Sequence, residues 1–157
     1  MSRSGRVLIA STRAAAGVYD DRCGPVIVEW FRQRNIEVGD PVVVPDGPAV
    51  ADALRAAVRD AVDVVVTSGG TGISPTDGTA EATLAVLDYQ IPGLSDAIRR
   101  SGLPAVPTSI LSRGVCGVAG RSLVVNLPGS PGGVRDGLAV LDGVLDQPAD
   151  PKPAIGE

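Results

Sequence analysis

The stretch from Val62 to Thr67 is rich in β-branched residues, shows no apolar–polar alternation, and runs straight into Gly69-Gly70-Thr71-Gly72. A strand with one face in water alternates, whereas a strand covered on both faces does not. The run therefore predicts an interior strand of a parallel sheet with helices packed on either side. Its carboxyl end opens into a glycine-rich loop, Ser68 to Thr79, that leads into a further helical segment beginning AEATLAVLD.

The same alternation of elements recurs along the chain. Residues 6–11 (RVLIAS) predict a short buried strand, followed by a turn-rich segment and a helix from about Pro25 to Arg34. Ile36 to Val44 is again β-branched and stops at the breaker Pro45-Asp46-Gly47-Pro48. From Ala49 to Ala61, apolar Val50, Ala53, Leu54, Ala57, Val58 and Ala61 recur at helical spacing. Pro92 to Arg100 predicts another helix, Leu103 to Leu111 irregular or extended chain, and Ser112 to Arg121 a glycine-rich ribbon or turn. Ser122 to Asn126 predicts a second interior strand, followed by a helix whose Val134, Leu138, Leu141 and Leu145 share a stripe. Strands alternating with helices predict a three-layer α/β/α sandwich with a mostly parallel central sheet. Residues 1–146 form one domain in this reading, and the Pro-rich segment 147–157 is expected to be a disordered tail.

Composition narrows the chemistry. Aromatic residues make up only 3% of the 157, so Val, Ala, Leu and Ile must fill the core. A net charge of −4 argues against a nucleic-acid partner, which calls for a basic face. The chain contains no His, which removes His-based triads and most zinc sites, so that any metal is expected on oxygen ligands. Cys23 and Cys116 lie far apart and read as packing residues. No apolar run is long enough to span a membrane or to serve as a signal peptide, and the expected compartment is the cytoplasm.

In a doubly wound sheet, ligands gather beyond the carboxyl ends of the strands. The loops Ser11 to Gly17, Pro45 to Pro48, Ser68 to Thr79 and Leu127 to Gly133 meet that condition. The glycine loop can turn several backbone N–H groups toward one anion, yet it contains neither GxxxxGK[ST] nor the third glycine of GxGxxG. Its hydroxyl residues, with Asp77 behind them and Asp46 on another strand end, suit a polyphosphate held with Mg²⁺. Two carboxylates alone would repel such a ligand by about 4 kcal/mol per close pair of charges, and a bridging Mg²⁺ reverses the sign. Read locally, Asp77 also fits a helix N-cap, and Asp46 in PDGP is more often a turn residue.

The segments TSGGTGISPTDGTAEAT and NLPGSP, together with STRAAAGVYDDRCGP, VVPDGP and PAVPTSILSRGVCGVAG, occur in an order that resembles the molybdopterin-binding Mog/MoaB family of molybdenum cofactor biosynthesis. The likeness covers about residues 5 to 145. It implies Mg²⁺-dependent transfer of AMP from ATP to molybdopterin with release of pyrophosphate, or, as the alternative, a non-catalytic molybdopterin-binding or scaffold role in the same pathway. It also implies a homotrimer and contact with other proteins of the pathway. Asp46 and Asp77 become the catalytic and metal-holding acids. Ser11, Arg13, Ser68, Gly69, Gly70, Thr71, Gly72, Thr79, Asn126, Pro128, Gly129 and Ser130 become the substrate contacts. The chain departs from the family's usual pattern at Thr12 (commonly Asp), Thr76 (commonly Arg) and Ala80 (commonly Pro). Arg13, Arg22 and Arg113 are the candidates to replace the cation missing at position 76.

Overall fold

The computed structural model describes residues 2–145, so the expected tail, 147–157, lies outside the described residues. In chain order the elements are β1 (Ser4–Ala10), α1 (Thr12–Ala15), α2 (Cys23–Gln33), β2 (Glu37–Val38), β3 (Val42–Val44), α3 (Pro48–Arg59) and β4 (Val64–Ser68). They continue with α4 (Thr79–Leu84), β5 (Tyr89–Gln90), α5 (Pro92–Arg100), β6 (Cys116–Ala119), β7 (Ser122–Leu127) and α6 (Pro131–Leu145). The sheet order is β2-β1-β4-β7-β6-β5, with β3 also on β1.

The central strands β1, β4 and β7 pair in parallel. Their side chains divide between two cores because successive residues point to opposite faces. Val7, Ile9, Val64, Val66, Leu123, Val125 and Leu127 meet the buried sides of α2, α5 and α6. Leu8, Ala10, Val65 and Val124 meet α3 through Val50, Leu54 and Ala57. This is the three-layer arrangement that the unalternating strands predict. Val64, Val65 and Val66 are each 0% exposed, so neither face of β4 touches water.

Three parts of the chain differ from the sequence expectation. The predicted strand 36–44 is split into β2 and β3. The offset of its pairing with β1 grows by one residue between Gly5↔Val38 and Leu8↔Val42, which makes a bulge at Gly39-Asp40-Pro41. Proline has no N–H for the ladder and is tolerated at such an edge. Leu103 to Leu111 is a tight turn followed by a 3₁₀ helix, Pro107–Leu111. The ribbon predicted over 112–121 contains β6, which runs antiparallel to both β7 and the two-residue β5, so this edge of the sheet is not parallel. Among the described residues no helix is long and apolar enough to cross a membrane.

Candidate active site

The chain leaves β1 toward β2 and β3 on one side, then crosses back to β4 on the other. The loops following β1 and β4 therefore diverge at the boundary between these neighbouring strands, where an α/β sheet opens a crevice. A cavity of about 860 Å³ lies there. Its floor is the end of β1, Ile9 and Ala10, and its walls come from the β1–α2 connection, the β3–α3 turn, the glycine loop and the β7–α6 loop.

Backbone geometry explains the glycines. Gly69 and Gly70 have φ of 96° and 69°, a region that L side chains rarely adopt. A Cβ on Gly69 would collide with the Ala10 carbonyl oxygen, and one on Gly70 would collide with Thr79 Oγ1 and approach Asp46 Oδ1 to 3.2 Å. The loop thus lies close against both β1 and the β3–α3 turn. Gly129 closes the other side: a Cβ there would stand 3.3 Å from Gly69 Cα. Ser68 Oγ donates to the Pro128 carbonyl at 2.7 Å, and Gly69 N–H to that of Leu127 at 3.2 Å, joining the two loops.

Asp46 and Asp77 line the same cavity although they belong to different connections. Asp46 is held by Thr12, whose hydroxyl donates to Asp46 Oδ2 at 3.2 Å and accepts from the Asp46 N–H at 3.1 Å. Asp77 does not cap α4, whose N-cap is Gly78. Its Oδ2 instead accepts from the Ser74 N–H at 3.3 Å within the loop. Among the described residues no group of three or more His, Cys, Asp or Glu side chains forms a metal cage. Two half-buried carboxylates on one cavity fit a Mg²⁺ ion, which characteristically takes one or two carboxylates and fills its remaining positions with water and substrate phosphate oxygens.

Of the residues singled out in the sequence, Ser11, Arg13, Ser68, Gly69, Gly70 and Gly129 line the cavity with the two acids. Thr71, Gly72, Thr79, Asn126, Pro128 and Ser130 stand outside its lining and hold its walls. Thr79 Oγ1 donates to the Gly69 carbonyl at 2.9 Å, and Ser130 Oγ accepts from the Gly133 N–H at 3.2 Å at the start of α6. Thr71, buried, accepts from the Arg113 N–H through its carbonyl at 2.7 Å. Asn126 is buried and bonded to Thr67, Thr83 and the Val115 N–H.

The lining extends past the expected loop end at Gly17 to Tyr19, Asp20, Asp21, Arg22 and Cys23, and it includes Thr12 and Thr76. The adjoining acidic, basic and aromatic residues in GVYDDRCG were the available signal for that wall. Tyr19 hydroxyl and Ser11 Oγ are 2.8 Å apart, which ties the wall back to the end of β1. Of the three candidate arginines, Arg13 and Arg22 face the cavity, whereas Arg113 is committed to the outside of the glycine loop.

Both thiols are buried and free. Cys23 reaches the Gly129 carbonyl at 3.5 Å, and burial pushes its thiol up from the ordinary value. Burial pushes Cys116 up to about 12. As pH rises past the ordinary value of 9.0, the unfolded chain loses this proton while the folded chain keeps it. The thiol therefore adds no pH dependence below 9.0 and lowers stability as pH climbs from there toward 12. Native protein at about pH 8 is expected to leave Cys116 unalkylated by iodoacetamide, with reaction only after denaturation, as read by peptide mass spectrometry.

A doubly wound α/β domain with its crevice at the strand ends belongs to the class of open α/β folds that place their ligand site at a topological switch point. Comparison with known proteins narrows the class. The model of a probable molybdopterin binding domain matches residues 6–146. The molybdopterin adenylyltransferase of Haemophilus influenzae is 38% identical over 144 residues, covering 87% of this chain and 70% of that protein. The enzyme of the same name from Escherichia coli K12 is 37% identical over 149 residues, covering 92% and 74%. The structure of the molybdopterin biosynthesis Mog protein from Mycobacterium ulcerans superposes with a TM-score of 0.89 at 64% identity, covering 92% of this chain and 95% of that one. The chain belongs to the molybdopterin-binding Mog/MoaB family.

Proposed function

We propose that this chain transfers AMP from ATP to molybdopterin in molybdenum cofactor biosynthesis. The observation that carries the reading is that Asp46 and Asp77, distant in sequence, line one cavity with Gly69, Gly70, Gly129, Arg13 and Arg22. What brings this chemistry to the chain is its similarity over most of its length to relatives named molybdopterin adenylyltransferase.

In this reaction a terminal phosphate oxygen of molybdopterin attacks the α-phosphorus of ATP. The new P–O bond forms as the α–β P–O bond breaks, and pyrophosphate leaves. A phosphate monoester is already anionic near neutral pH, so no side chain needs to remove a proton, in keeping with a chain that contains no His. The protein's part is alignment and charge neutralisation, which account for most of the catalysis in phosphoryl-type transfer. Arg13 and Arg22 lie where they can meet phosphate oxygens and supply the positive charge that Thr76 does not. The glycine backbone lets those oxygens approach closely. Asp46 and Asp77 would hold Mg²⁺, which would neutralise the phosphates between them.

We also read the protein as a cytoplasmic homotrimer. The support for self-association is the exposure of Leu103, Val106, Ile110 and Leu111 at 40–57%, four large apolar side chains within one short segment. Sedimentation as a monomer would remove the trimer. For the reaction, purified protein with molybdopterin, ATP and Mg²⁺ is expected to yield adenylylated pterin and stoichiometric pyrophosphate by mass spectrometry and phosphate assay. Tight pterin binding without that product would instead indicate a scaffold.

A further inference from the structure

We propose that Arg113 is a positioning residue that fixes the glycine loop and thereby directs the Asp77 carboxylate into the cavity beside Asp46; this rests on the reaction proposed above. The guanidinium makes a three-way clamp. Its Nε donates to the Gly72 carbonyl at 2.9 Å, Nη2 to the Asp77 carbonyl at 2.7 Å, and Nη1 to both Glu81 oxygens at 2.9 Å. The first two bonds grip the loop at either end of the segment Gly72 to Asp77, and the third anchors it to α4. The backbone adds a fourth tie, from the Arg113 N–H to the Thr71 carbonyl at 2.7 Å.

This clamp is the main cross-link to an otherwise exposed segment. Ile73, Ser74, Pro75 and Thr76 are exposed, and the remaining ties from their side chains and from Asp77 stay within the segment. The arginine itself stands on fixed backbone: Arg99, on α5, donates through Nη1 to the carbonyls of Ser112 at 3.3 Å and Gly114 at 2.7 Å, the residues on either side of Arg113. A planar fork with five donors can satisfy acceptors lying in several directions at once, and an ammonium on a flexible stem cannot. Arg113 lies outside the cavity lining, so it acts on substrate only through Asp77 and the loop amides.

The test compares wild type, Arg113→Ala, Arg113→Lys and Glu81→Gln by kinetics and by amide hydrogen exchange. Arg113→Ala is expected to lower kcat on the order of tenfold to a hundredfold, as misplacement of an aligned group does, while KM for molybdopterin changes by no more than about twofold, since only the transition-state alignment is lost. Exchange should accelerate at residues 72–78 and stay unchanged in the interior strands. Arg113→Lys should be nearly as slow as Arg113→Ala, Glu81→Gln should fall between, and guanidinium ion at non-denaturing concentration should restore turnover to Arg113→Ala. Active wild type with full turnover in Arg113→Lys overturns the positioning role, and so does exchange that rises throughout the sheet without guanidinium rescue. Absence of adenylylated product from wild type overturns the reaction itself.

Discussion

Asp77→Asn is expected to lower kcat on the order of a hundredfold to a thousandfold, the range for removing one preorganised electrostatic group from a reacting centre, with Asp46→Asn close behind. Stability should hardly change in either variant. Asn retains an oxygen to accept from the Ser74 N–H at position 77, and one to accept from the Thr12 hydroxyl at position 46. Both positions are only half-buried, so neither change strands a buried group. The two losses should not add in the double variant, since both acids would serve one cation. Binding gives an independent readout. Without Mg²⁺ the two carboxylates repel a triphosphate, by about 4 kcal/mol for a bare pair at 4 Å and an effective dielectric near 20. The Asn variants should therefore bind ATP in the absence of Mg²⁺ at least as well as wild type, and gain less when Mg²⁺ is added. Calorimetry over a Mg²⁺ series checks this, and unchanged turnover in both variants would reject the assignment.

Asn126→Leu is expected to destabilise the fold by about 3 to 5 kcal/mol, the cost of stranding several buried polar groups. The Asn126 amide donates to Thr67 Oγ1 at 2.9 Å and Thr83 Oγ1 at 3.1 Å, and its carbonyl accepts from the Val115 N–H at 3.0 Å. It thereby stitches β7 to β4, to α4 and to the chain entering β6. Both threonines are 0% exposed, so water cannot replace the lost partner. Leucine matches the volume and supplies none of the bonds. For a domain of this size a loss of that order lowers Tm by roughly 10 °C or more, measurable by calorimetry. Loss of activity would accompany unfolding, with a normal KM for molybdopterin below the transition. A variant with unchanged Tm and a weakened KM would instead make Asn126 a substrate contact.

That contrast marks how far local sequence could be read. Asn126 stands in NLPGSP beside residues that do line the cavity, and its neighbours in sequence gave no sign that its partners would be Thr67 and Thr83. Arg113 looked like a free cation able to replace the one absent at position 76. Its actual partners, Gly72, Asp77 and Glu81, lie more than thirty positions away. Thr12, at a position where the family commonly has Asp, proves to be the residue that orients Asp46. The antiparallel edge was hidden for a different reason, since strands as short as Tyr89–Gln90 and Cys116–Ala119 contain too few residues to express a period.

The amino-acid sequence by itself determined the layered architecture and the position of the glycine loop. Both follow from local rules: an unalternating apolar strand must be covered twice, and backbone at positive φ requires glycine. Only the tertiary structure decided which side chains share the crevice and which hold its walls. Hydrogen-bond partners drawn from remote strands and loops are chosen by packing in three dimensions, and no periodicity along the chain records that choice.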